Sequence, residues 1–110
     1  MDMTLDVTQV LCGLDGEAMK DGDNPVTLRP ICINALMATM EADKGMSGED
    51  KVKIWVLAGK IQKEDAPALV AEDVALLKKR IGAAYGPAIV GPAFLLLNGT
   101  AATPAPKLAE

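Results

Sequence analysis

The chain predicts an α+β fold that is mainly helical: a short N-terminal β-hairpin followed by three or four packed helices. Three observations carry this. Half the residues are hydrophobic, yet the only aromatics are Trp55, Tyr85 and Phe94, so the core must be built from Leu, Ile, Val, Met and Ala. From residue 28 onward apolar side chains recur at three- and four-residue spacing, punctuated by capping residues, Gly and Pro. Before that, TLDVTQVLC alternates apolar with polar and ends on a turn signal. A chain of 110 residues is of single-domain size, and one domain is expected over residues 1–99.

The hairpin is expected over about residues 4–20. Leu5 and Val7, with Val10 and Cys12 beside them, should face the core of a strand, although the alternation slips at Thr8-Gln9 and allows a bulge or an early end there. Gly13-Leu14-Asp15-Gly16 is the turn, because Asp-Gly supplies the positive φ that hairpin turns need, and Glu17-Ala18-Met19 is the return. The run from Lys20 to Pro25 reads as a polar loop.

The first helix is expected over about 28–40, with Thr27 as N-cap and Pro30 in the first turn, where a missing N–H does no harm. Leu28, Ile31, Cys32, Ala35 and Leu36, extended by Thr39-Met40, form its buried face. Ser47-Gly-Glu-Asp50 opens a second helix over about 48–62: a Ser N-cap followed by acids that suit the helix dipole. Its core face is read as Val52, Trp55, Val56 and Gly59, widened by Leu57 and Ile61. Trp55 is thereby assigned to the core rather than to an interface anchor, with an expected cost of about 3–5 kcal/mol for Trp55→Ala.

A third helix is expected over about 71–85, with Val74, Leu77, Ile81 and Ala84 inward and Leu76 and Tyr85 beside them. Glu72 and Asp73 near its start and Lys78-Lys79-Arg80 toward its end match the dipole, and the basic run reads as a solvated face. Gly86-Pro87 ends it and starts a fourth over about 87–97, interrupted near Pro92. Residues 100–110, rich in Ala, Pro and Thr, are expected to be disordered.

From Ile81 to Pro106 no side chain is charged. A bilayer span needs about 20 mostly apolar residues, and the dense part here runs only from Ala88 to Leu97, so no membrane partner is expected. Ile89, Val90, Ala93, Phe94, Leu96 and Leu97 should instead pack within the chain. Part of that surface, with Phe94, Leu97, Ile89 and Tyr85 as the candidate interface, should meet another protein or a second copy of the chain, making a homo-oligomer.

The chemistry excludes more than it suggests. The formal net charge is −4 and there is no His. An acidic chain lacks the basic surface that neutralises phosphates, so no nucleic-acid partner is expected. Without His there is no Ser-His or Cys-His pair. Two Cys, Cys12 and Cys32, cannot supply a zinc site; they read as small buried thiols, with a disulfide as the alternative. Asp15-Gly-Glu17 and Asp21-Gly-Asp-Asn24 miss the EF-hand spacing and are explained by turn chemistry. Asp21, Asp23, Glu41, Glu49, Asp50, Glu72 and Asp73 all have local explanations as loop, cap or dipole partners. No catalytic residue, metal site or cofactor is therefore assigned.

The strings VLCGLDGEAMKDG, TLRPICINALMA, SGEDKVK and AEDVALLKKRIGAAYGPAIVGPAFLLL resemble a group of small uncharacterised proteins encoded by tailed bacteriophages and prophages. The resemblance spans about residues 5–97, and its motifs are structural. It implies a non-enzymatic protein-interaction role, such as a virion or tail assembly accessory factor, in the cytoplasm of a bacterial host. The alternative is a small acidic inhibitor of a host enzyme or defence complex. An inhibitor of that kind should gather its carboxylates on one face; an assembly factor should show an apolar patch.

Overall fold

The computed structural model describes residues 3–98. In chain order the elements are β1 (Met3–Thr4), β2 (Lys20–Asp21), β3 (Asn24–Pro25), α1 (Leu28–Met37), a 3-10 turn (Glu41–Asp43), α2 (Gly48–Lys63), β4 (Ala68–Leu69), α3 (Ala71–Ala84) and α4 (Pro87–Leu97). A short antiparallel hairpin thus precedes four packed helices, as the patterning predicts. The tail expected over 100–110 lies outside the described residues.

The amino-terminal segment is more broken than one hairpin over 4–20. Asp6 Oδ1 accepts from the Thr8 N–H at 2.9 Å and from the Thr8 hydroxyl, and this local turn ends the first strand where the alternation slips. β1 then pairs not with residues 17–19 but antiparallel with β4, in the register Met3↔Leu69 and Thr4↔Ala68. The pairing continues as Leu5 and Val7 N–H donate to Pro67 O and Asp65 O at 3.1 and 2.9 Å. Past the turn the odd-numbered positions stay inward, so the one-residue shift that would bring Val10 and Cys12 into the core does not occur. Leu11 is buried, Val10 is half-buried and Cys12 is exposed, contrary to the expectation for Cys12.

The reversal at Gly13–Gly16 is present. Cys12 bridges to Ala18, Gly13 N–H donates to Glu17 O at 2.9 Å, and Gly16 has φ 80°, which Gly adopts without steric cost. The expected loop over 20–25 is in fact a second tight hairpin. β2 and β3 pair as Lys20↔Pro25 and Asp21↔Asn24 around Gly22 at φ 66°, so a second Asp-Gly performs the same turn.

Each helix starts within a residue of its expected position. Thr27 occupies the N-cap position of α1 but its hydroxyl makes no cap. The first N–H groups of α1 are satisfied instead by the strand segment, Leu28 N–H by Gln9 O and Arg29 N–H by Val7 O, both at 2.9 Å. Ser47 does cap α2, its Oγ accepting from Asp50 N–H at 3.1 Å. At α3 the Asp73 carboxylate accepts from Val70 N–H at 3.1 Å. Pro87 sits in the first turn of α4 and Pro92 inside it.

The core gathers Leu5, Val7 and Leu11 with the inner faces of the helices. α1 is central, packing on α2 and α3 and touching α4, while α4 lies mainly on α3. α2 has α1 as its chief helical neighbour, so one of its faces has cover and the other does not. The covered face is Ile54, Leu57, Ala58 and Ile61. This corrects the expected core face: Val52, Trp55 and Val56 point outward, and Trp55 is not a core residue. No helix among the described residues is long and apolar enough to cross a membrane; α4 has 11 residues.

Candidate functional site

Three of the seven large hydrophobic side chains exposed among the described residues, Val52, Trp55 and Val56, lie on the outer face of α2. Residues three and four apart share a helix face, so Val52, Trp55 and Val56 form one ridge. They are 58%, 68% and 58% exposed. Ser47 fixes the start of the helix, and burial of Ile54, Leu57, Ala58 and Ile61 on the opposite side sets its rotation. The ridge is thus as firmly oriented as the core beneath it.

A concavity adjoins the ridge on each side. The larger, about 630 Å³, lies between the end of α1, the segment following it and the first half of α2. Met37, Met40 and Met46 line it, with Trp55 on its edge and Arg80 and Asp43 in its wall. Methionine adapts its shape to what it packs against and polarises readily, which suits a contact surface. The smaller, about 290 Å³, is lined by Val52, Val56, Lys60 and Asp73.

The wall of the larger concavity is held by a buried charge. Arg80 is 5% exposed, so it is not part of a solvated basic face as its Lys-Lys-Arg context suggests. Its Nε donates to Ala35 O at 3.1 Å, Nη2 to Leu36 O and Ala38 O at 3.0 and 2.7 Å, and Nη1 to Asp43 Oδ1 at 2.5 Å. These carbonyls end α1, where a cation is favoured by the helix dipole. The grip explains why α1 stops at Met37, short of the residue 40 expected. Asp43 Oδ2 in turn accepts from Met40 N–H at 3.0 Å. Hydrogen bonds from Arg80 and then Met40 hold the Asp43 carboxyl below its ordinary value.

Arg29 performs the same service for α2. Its Nε donates to Ile61 O at 3.0 Å, and its Nη2 to Glu64 O at 3.0 Å and Asp65 Oδ1 at 2.6 Å. Sequence reasoning missed both arginines. Their signal is positional only: each lies far along the chain from the helix end it caps.

The four candidate interface residues are dispersed by burial. Leu97 is 1% exposed and belongs to the core. Tyr85, Ile89 and Phe94 are half-buried and pack against that core. The Phe94 ring is further covered by Lys78, whose ammonium stands 5.9 Å from the ring centroid and donates to Asn98 Oδ1.

The remaining chemistry is local. Asp15 Oδ1 accepts from Glu17 N–H at 3.0 Å, which is turn geometry. Among the described residues no group of three or more His, Cys, Asp or Glu side chains is placed to hold a metal. Cys12 and Cys32 are both free thiols. Burial pushes the Cys32 thiol up to about 12, which leaves it protonated and unreactive in the folded chain. Comparison with protein-family models, with curated proteins and with solved structures finds no match.

Proposed function

We propose that this chain is a non-enzymatic protein-interaction module whose contact surface is the outer face of α2. The observation that carries the reading is the exposed Val52, Trp55 and Val56 ridge standing beside a methionine-lined concavity. Exposed apolar patches of this kind mark protein contacts, and Trp is the residue most often found as an energetic anchor in them. The carboxylates support an interaction surface over an acidic inhibitor. Asp6, Asp15, Asp43, Asp65 and Asp73 are each engaged by a turn, a cap or an arginine. In keeping with its resemblance to small tailed-phage proteins, the module acts in the cytoplasm of a bacterial host as an accessory in particle assembly.

The experiment is a capture comparison using three immobilised forms: the unmodified chain, Val56→Lys, and Leu14→Lys as an exposed apolar control remote from α2 in sequence. The same polypeptide, another protein or the chain itself, should be retained by the unmodified chain and by Leu14→Lys, and lost with Val56→Lys. Equal retention by all three forms, or retention by none, contradicts the reading.

A further inference from the structure

We infer that the partner of the α2 face is a second copy of the same chain, docked as an antiparallel helix pair about a two-fold axis between Trp55 and Val56. This rests on the α2 face being the interaction surface and specifies what covers it.

The pattern along α2 is self-complementary. In an antiparallel pair related by a two-fold axis, each residue meets the one equally far from the centre, and each flank meets its own equivalent. On one flank Trp55 meets Trp55 of the second copy; on the other Val56 meets Val56. Along the seam Val52 lies over Gly59 of the second copy. Glycine is an unfavourable helix-interior residue, and nothing lies within 4 Å of where a Gly59 Cβ would be. Packing inside the chain therefore gives no reason for a glycine there, whereas a closely approaching helix does.

Charge follows the same symmetry. α2 carries Glu49 and Asp50 in its first turn and Lys60 and Lys63 in its last, so an antiparallel pair sets acids against bases at both ends. Glu49 falls beside Lys63 of the second copy, and among the described residues neither side chain has an ion-pair partner within its own chain. A parallel pair would set like against like. Lys60 is already committed, its Nζ donating to Ala68 O at 3.1 Å, which leaves Lys63 as the available base.

The other occupant at hand fits less well. Residues 99–110, GTAATPAPKLAE, offer Leu108 as their one large apolar side chain, against three on the ridge.

Sedimentation equilibrium over a wide concentration range tests this. The mass should rise with concentration from 11.5 kDa toward twice that value. Val56→Lys should stay monomeric with an unchanged circular-dichroism spectrum and, at concentrations where the unmodified chain is also monomeric, an unchanged thermal midpoint. Glu49→Lys and Lys63→Glu should each weaken association by about tenfold, and the double exchange should restore it to within a few-fold of the unmodified chain. A chain that stays monomeric at every concentration overturns the inference, as does a dimer indifferent to Val56→Lys, or one that the double exchange fails to restore. A monomer that still retains another protein through the unmodified α2 face sinks the dimer alone and leaves the interaction reading standing.

Discussion

At Arg80, one side chain closes the end of α1, fixes the segment that follows and neutralises Asp43. Removing it leaves the carbonyls of Ala35, Leu36 and Ala38 short of a donor and Asp43 without its cation. Arg80 is buried and Asp43 only partly so, and removing the buried donor leaves these acceptors unsatisfied, so Arg80→Ala should lower stability, read by urea denaturation. Arg80→Lys keeps the charge but loses the planar fork and should recover only part of the loss. The pH dependence has a definite sign. The Asp43 carboxyl is held down in the folded chain, so its contribution is fully present above the unfolded pKa and is lost as pH falls through the folded one. Stability should therefore fall on acidification below about pH 4, and Asp43→Asn should flatten that slope. The thiols separate just as clearly. Cys12 is exposed and Cys32 buried, so a thiol reagent should titrate one group in the folded chain and both after denaturation.

At the scale of elements, α2 is the most informative, because both of its faces are apolar and burial chooses between them. Leu57→Ala, on the covered face, should cost about 2–5 kcal/mol. Trp55→Ala, on the open face, should change monomer stability by no more than about 0.5 kcal/mol. Chemical denaturation at low protein concentration measures both. Ser47→Ala removes the amino-terminal side-chain cap of α2 and should cost about 1 kcal/mol. The helices were legible because their signals are local: Ser47, Gly86-Pro87 and the 3/4 spacing mark ends and faces directly. The rotation of α2 was not, since Val52, Trp55 and Val56 satisfy the same spacing as Ile54, Leu57 and Ile61. Which stripe is buried depends on α1 being its chief helical neighbour, a tertiary fact. The pairing of β1 with β4 was hidden for the same reason, as the partner strand comes more than sixty residues later. The burial of Leu97 was hidden in the same way, since it depends on how α4 packs on α3 and α1.

For the whole molecule, the buried apolar side chains form a single core that draws on all four helices and the amino-terminal segment. Among the exposed ones, Leu14, Met37, Val70 and Leu95 lie on other parts of the chain, whereas Val52, Trp55 and Val56 stand together on α2 beside two concavities. Helix α4 belongs with that core: it is seated on α3 and α1, and its Ala93 and Leu97 are buried there. Trp55 is the sole tryptophan, so its fluorescence reports on the open face without interference. The most direct measurement is acrylamide quenching of that fluorescence across a range of protein concentrations. The expected result is efficient quenching in dilute solution that declines, with a blue shift of emission, as the α2 faces meet. A tryptophan already shielded and blue-shifted in dilute, monomeric protein would contradict the outward orientation of Trp55 on which both the proposed function and the dimer depend.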